Sequence, residues 1–283
     1  MRIVGTVAGL AGLCLAGIDT VATAQTVDLS TPIETPVPQE AVTSGAGLNL
    51  TLGLGAAFAP DYEGSDDYSF VPLWNLRVGN LYHPETFVQI LGPQLRSNLV
   101  PSDHWRFGVS GRYLPDYEDV DDDEVQDLED VDAVGLLGAT LGYDFVAGPR
   151  SDVALELDAQ YDVVESNGGI LTPRFRWRQP WSESVVFETT LATTWASEDY
   201  MSNRFGIDAG AAADSGLDTH DADEGFKSAS ISGSLTFRLS RGLSLTGVAA
   251  FTRLLGDAED SPIVDDRGSE NQALGGILLN YTF

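Results

Sequence analysis

Histidine is the scarcest of the residues that could do chemistry here: the 283-residue chain has three, His83, His104 and His220. His220 lies beside Asp218 and Asp221, with Ser215 nearby, so a Ser/His/Asp set can be assembled on paper. Nucleophilic catalysis needs those partners held in fixed relation by separate rigid elements. Residues crowded into one acidic stretch do not meet that need. There is no Gly-x-Ser-x-Gly elbow, no pair of histidines at metal-binding spacing and no phosphate-cradling glycine loop. One cysteine, Cys14, cannot build a zinc finger or a disulfide framework. The expectation is a protein that is not an enzyme, with no cofactor, metal centre or catalytic residue.

Carboxylates are the abundant reactive group. The chain carries 43 Asp and Glu against 15 Lys and Arg, for a net charge of −28. Four stretches, 60–67, 116–132, 196–226 and 255–270, hold twenty-nine of the acids and two arginines, Arg204 and Arg267. Nucleic acid is excluded as a partner, because the phosphate backbone selects basic surfaces. Asp119-x-Asp121-x-Asp123 opens like a calcium loop, but Glu124 stands where that loop needs glycine and Asp130 where it needs a bidentate glutamate. An EF-hand is therefore rejected. Two readings of the acidic stretches stay open: hydration of an exposed surface, or loose bridging by divalent cations to lipid phosphates.

A different arrangement of charge lies between those stretches. Asp152, Glu156, Asp158 and Asp162 share one face of a segment with period two, and Arg174, Arg176 and Arg178 share one face of the next. A turn at 166–168 would set Asp158 near Arg176 and Glu156 near Arg178. Opposite charges on adjacent strands stabilise the pairing, and arginine grips carboxylates through two parallel hydrogen bonds. These seven residues are expected to form a charge ladder inside a barrel, as structural glue or as a selectivity lining.

The elements that must position them are strands. From Leu48 onward the apolar period is two, which gives each strand two chemically different faces. Val153, Leu155, Leu157, Ala159 and Tyr161 oppose Asp152, Glu156, Asp158, Gln160 and Asp162. The alternating runs last ten to thirteen residues, longer than the ~5–6 usual in soluble sheets and suited to a tilted bilayer crossing. Aromatics gather at strand ends, among them Trp74, Trp105, Tyr143 and Trp177, as an interfacial girdle requires. Short links near 147–151, 179–183 and 240–242 alternate with long ones at 116–132, 196–226 and 255–270. The fold predicted is all-β: an antiparallel transmembrane β-barrel of about twelve strands, ten being the alternative. Twelve requires residues 81–100 to split into two short strands around Gly92-Pro93.

Arg2, the uncharged apolar run 3–18 and Ala22-Thr23-Ala24 read as a signal peptide over 1–24. Residues 25–46, with Pro32, Pro36 and Pro38, read as a flexible periplasmic segment, and 47–283 as the barrel. The expected location is the outer membrane of a Gram-negative envelope, among outer-membrane lipid and lipopolysaccharide, with both termini in the periplasm.

Several segments recur in order along the barrel. Ala59-Pro60-Asp61-Tyr62-Glu63-Gly64-Ser65 follows the first strand; Ser197-Glu198-Asp199-Tyr200-Met201 leads to Arg204-Phe205-Gly206-Ile207; Gly256-Asp257-Ala258-Glu259-Asp260-Ser261-Pro262 precedes the last strand. The chain ends Tyr281-Thr282-Phe283. Together these resemble the MipA/OmpV family of outer-membrane proteins over residues 47–283. The resemblance singles out Pro60, Tyr62, Gly64, Tyr200, Phe205, Gly206, Asp257, Ser261 and Pro262 as family motif positions. It also makes Tyr281 and Phe283 look like the signal read by the barrel-assembly machinery. The acid content of 116–132 departs from the family pattern. What the resemblance implies is a non-enzymatic scaffold that links the outer membrane to murein-remodelling enzymes, a lytic transglycosylase and a murein synthase. A channel or uptake protein for small solutes is the alternative.

Overall fold

A computed structural model describes residues 47–117, 120, 122–126, 128, 131, 133–146 and 151–283. The expected signal peptide, the 25–46 segment, the 147–150 turn and seven of the seventeen residues of the acidic stretch 116–132 lie outside the described residues. Twelve antiparallel strands close into a barrel. They are β1 (Asn49–Pro60), β2 (Tyr68–Gly79), β3 (Phe87–Leu91), β4 (Gln94–Asn98), β5 (Trp105–Leu114), β6 (Val134–Val146), β7 (Asp152–Asp162), β8 (Gly169–Ser182), β9 (Val185–Ala196), β10 (Gly225–Arg238), β11 (Leu243–Leu254) and β12 (Asn271–Thr282). Each pairs with its sequence neighbours, and β1 pairs with β12 from Thr51↔Thr282 to Phe58↔Gly275.

Alternation in the sequence becomes two surfaces. Leu54, Phe70, Leu155, Trp181 and Ile277 face outward and are exposed, while Thr51, Asn75, Glu156, Arg176, Thr246 and Asn280 point inward and are buried. An apolar exterior over a polar interior is the arrangement a bilayer selects, because closure leaves no sheet edge to satisfy in hydrocarbon. Among the described residues no helix is long and apolar enough to cross a membrane.

The segment 81–100 divides as the twelve-strand reading requires. Gly92, at φ 52°, turns β3 into β4 ahead of Pro93. Both strands have five residues, half the length of their neighbours. β2 therefore pairs with β3 only from Asn75↔Leu91 to Gly79↔Phe87.

The β7–β8 register differs from the expected one. Glu156 stands opposite Arg174, Asp158 opposite Thr172 and Asp152 opposite Arg178. The turn is the cause. Asp162 is fully buried, and its carboxylate accepts N–H bonds from Val164, Glu165 and Asn167 of the turn and from Gly135 of β6, at 3.0–3.3 Å. Ser166 and Gly168 take left-handed φ values of 66° and 77°. The connection so formed centres two residues earlier than 166–168 would.

Asp162→Ala removes the acceptor for four backbone donors. The expected loss is about 2 kcal/mol, the scale of a hydrogen bond to a charged group, read as a lower urea midpoint for the folded barrel. Asp162→Asn should recover part of it.

Candidate functional site

The barrel interior carries one dense ionic cluster. β8 supplies Arg174 and Arg176; β7 supplies Asp152, Glu156 and Asp158. Arg176 reaches Asp144 at 2.9 Å, Asp152 at 3.3 Å, Glu156 at 3.4 Å and Glu188 at 3.9 Å. Arg174 reaches Asp158 at 3.4 Å and Glu156 at 3.8 Å. Arg106 on β5 contacts Asp144 at 2.5 Å and Asp152 at 3.5 Å, and Arg96 on β4 contacts Glu156 at 3.0 Å. Ser110 and Thr140 both donate to Asp158. Four guanidiniums thus serve five carboxylates across six strands. Period two makes this possible: every member has the parity that faces inward.

The seven residues expected to form a ladder divide. Asp152, Glu156, Asp158, Arg174 and Arg176 belong to the cluster. Arg178 is half-buried and stands opposite Asp152. Asp162 instead holds the β7–β8 turn. Sequence reasoning missed Arg96, Arg106, Asp144 and Glu188 as members. Arg106 had the correct face of its strand, and Asp144 alternates with Tyr143 and Phe145, which face out; inward parity was the available signal. What it could not supply is the circumferential reach of arginine, since Arg176 touches residues on β6, β7 and β9.

A second structure closes the long-loop end. α1 (Asp123–Gln126), α2 (Glu198–Phe205), α3 (Ala209–Ser215) and α4 (Pro262–Asp265) all lie in those loops. The motif positions meet there. Tyr62 and Tyr117 rings pack at 4.9 Å, and Tyr62 donates to the Arg267 carbonyl at 3.3 Å. Burial, with Tyr117 and Asp122 adding to it, pushes the Tyr62 phenol far above its usual range, so it stays a neutral donor. Gly64, at φ 109°, lies against Val264, where a Cβ would come within 2.6 Å of that side chain. Tyr200 and Phe205 of α2 are fully buried, and Gly206 ends that helix by donating to the Ser202 carbonyl. Ser261 donates to the Phe205 carbonyl at 2.7 Å, Asp257 accepts from Asp223 N–H at 2.9 Å, and Pro262 opens α4.

Basic residues pin this cap. Lys227 makes a buried ion pair with Glu63 and lies 5.4 Å from the Tyr200 ring. Arg204 is fully buried, donates to the Pro115 carbonyl at 2.8 Å and stacks on Tyr117 at 4.4 Å. Arg267 pairs with Asp122 and Glu124. In the acidic stretch, Asp122 accepts from the Glu124 and Val125 N–H groups at the start of α1. The paper triad does not assemble, because Ser215 donates to the Ala211 carbonyl and the His220 ring is held on the Asp257 carbonyl.

Tyr281 and Phe283 end the last strand with their rings edge to face at 4.9 Å, both exposed outward, and Phe283 N–H closes on the Leu50 carbonyl.

A family profile described as MltA-interacting protein MipA matches residues 52–283. Among solved structures, the chain is similar to an outer-membrane channel from Pseudomonas putida F1, at 11% identity and a TM-score of 0.48, covering 88% of this chain and 100% of that one. It is similar to the translocator domain of the autotransporter NalP from Neisseria meningitidis, at 9% identity and a TM-score of 0.42, covering 84% and 89%. A NanC porin matches at 8% identity and a TM-score of 0.39, covering 83% and 99%. No curated protein sequence matches the chain.

Arg176→Glu places a fifth negative group among four carboxylates. Breaking a buried pair costs about 3–5 kcal/mol, so the variant should fold in low yield and lose its heat-resistant compact band on electrophoresis. Arg176→Lys keeps one charge without the fork and should fall between the two.

Proposed function

The chain belongs to the MipA family of MltA-interacting proteins, and from that premise we propose that this outer-membrane barrel is a non-enzymatic scaffold for murein-remodelling enzymes. The family match is the observation that carries the reading. In this reading the short-turn end faces the periplasm, the capped end faces out, and residues 1–24 are a signal peptide. The soluble partners, a lytic transglycosylase and a murein synthase, dock on residues 25–46 and on the short turns. The turns flanking the β3–β4 hairpin offer the most side chains there: Tyr82 and His83 on one, Asp103 and His104 on the other. Tyr82 donates to the Leu99 carbonyl and so ties the two turns together. The barrel-assembly machinery reads Tyr281 and Phe283. Lipid and lipopolysaccharide surround the wall.

One observation favours a second reading, a channel for small solutes. The ionic cluster occupies one wall of the interior with Arg96 and Arg106 partly accessible, and charged side chains set selectivity in pores.

Affinity capture from detergent-solubilised envelopes separates the two. The scaffold reading expects murein-cleaving activity to co-elute with the barrel and to disappear when residues 25–46 are deleted or the 80–86 turn is replaced. Envelopes that yield no murein enzyme overturn it. Planar-bilayer recording tests the channel: discrete conductance steps whose ion selectivity shifts in Arg106→Gln support it, and a silent bilayer removes it.

A further inference from the structure

A furrow of about 560 Å³ crosses the outer face of the barrel wall from β5 to β9. It lies between two neighbouring rows of outward side chains. The row nearer the short turns is Trp105, Tyr143, Leu155, Phe175 and Leu191, each standing opposite the next. The row above it runs from Leu141 through Leu157 and Pro173, which pair in turn, to Thr193. Gly142, Glu156, Arg174 and Ala192 lie between the rows with inward parity, so the floor is their main chain. The Glu156 and Arg174 side chains belong to the ionic cluster inside, and no charge faces the furrow. Its walls are open to what lies outside: Trp105, Leu141, Leu155, Phe175 and Leu191 are each 38–53% exposed.

Pro173 gives the furrow its place. The Gly169 carbonyl accepts from Ser197 N–H at 3.0 Å, so the alternate residues Leu171 and Pro173 turn their main chain toward β9. Pro173 has no N–H to donate there, and the β8–β9 pairing lapses between Leu171↔Trp195 and Arg174↔Ala192. Its compact ring also stands where the same row carries leucine on β6 and β7. On β9, Thr193 donates its hydroxyl to the Ser228 carbonyl at 2.9 Å, which satisfies the polar atom on that side. The furrow is therefore apolar along its length. Its dimensions follow from the sheet. The rows are two residues apart along a strand, ~6.8 Å, and five strands span ~19 Å. At the ~35–45° strand tilt of such barrels, that length covers roughly 12 Å of depth, most of one leaflet of a ~30 Å hydrocarbon core.

We propose that the furrow is a binding site for one acyl chain of a glycerophospholipid from the leaflet nearer the short turns, its head group beside Trp105. The furrow is continuous with the bilayer-facing surface, so its surroundings are hydrocarbon. A single chain lying in it meets both rows at the ~3.5–4.0 Å of carbon contact. A transmembrane helix, ~10–12 Å across with its side chains, is too wide to enter. A second barrel, convex where it touches, leaves the furrow unfilled along most of its length. Polarity sets the direction of the lipid. Trp105 is the first residue of β5, after Ser102, Asp103 and His104, whereas Leu191 lies six residues into β9 and stands opposite Ile231. The head group belongs at the first end and the terminal methyl at the second.

The test uses the protein purified from outer membranes, placed in nanodiscs of phosphatidylethanolamine and phosphatidylglycerol. A trace of phosphatidylethanolamine carries a diazirine in one acyl chain, and adducts formed on irradiation are mapped by peptide mass spectrometry. Adducts on Leu141, Leu155, Leu157 and Phe175 are expected to exceed those on Leu54 and Ile277, although the latter two are more exposed, at 75% and 61%. Pro173→Trp fills the furrow from β8 and should abolish the excess, leaving Leu54 and Ile277 unchanged. Labelling that merely follows exposure overturns the proposal, as does an excess that Pro173→Trp leaves intact. Native mass spectrometry of the same sample reads the other occupant. A phospholipid retained by the monomer is expected; a lipid-free dimer assigns the furrow to a second copy and overturns the proposal. The heat-resistant electrophoretic band reports folding. Should Pro173→Trp lack it, Thr193→Trp fills the same furrow from β9 and is held to the same outcome.

Discussion

Closure of β1 on β12 is the contact from which everything else in the molecule follows. In hydrocarbon an unpaired main-chain N–H or C=O costs several kcal/mol, so a spanning sheet must meet itself. The seam runs from Thr51↔Thr282 to Phe58↔Gly275, with the two terminal threonine hydroxyls 2.8 Å apart. Once closed, the sheet assigns every side chain to lipid or to the interior by parity alone. Polar groups sent inward must then find partners across the wall. On β4 to β9 they do so as a web of arginines and carboxylates. On β2, β3, β11 and β12 they do so as amides and a hydroxyl.

The acidic character of the chain has two separate physical settings. Inside the barrel the carboxylates are nearly matched by guanidiniums, so the interior contributes little to the net charge. Among the described residues of the long loops most acids are exposed to water, where mutual repulsion is screened within about 8–10 Å at ordinary ionic strength. Of the two arginines there, Arg204 is buried and Arg267 is partly exposed, and Lys227 of β10 adds a buried cation from below. Lys227 and Arg204 lie buried beneath the cap, against Glu63 and against Tyr117. The loops are therefore anchored by their minority charge and hydrated by their majority charge.

The barrel, its strand number and the inward ionic residues of β7 and β8 were legible from the sequence because period two is a local signal. Val153 to Tyr161 against Asp152 to Asp162 needs no tertiary knowledge to read. The β7–β8 register was not legible, because it depends on one carboxylate, Asp162, leaving the ladder to hold main-chain donors in the turn. The cap was not legible either. Tyr62, Gly64, Tyr200, Phe205 and Ser261 carried a resemblance but no periodicity, and their contacts join segments about 200 residues apart in sequence, as in the bond from Tyr62 to the Arg267 carbonyl. Asp144 and Glu188 each sit singly on a mostly uncharged strand, and only the span of Arg176 across its neighbours reveals why they are there.

The route taken by the cap has a consequence for biogenesis. It ties Tyr62 and Gly64, from the first hairpin, to Val264, Arg267 and Ser269, from the last. Those residues become neighbours only when the two ends of the sheet have met. A barrel halted with its seam open keeps Glu63 and Lys227 apart in water and leaves the long loops without their shared core. Only the finished barrel presents a folded cap, so the cap acts as a receipt for completed closure of the sheet, legible at the long-loop end.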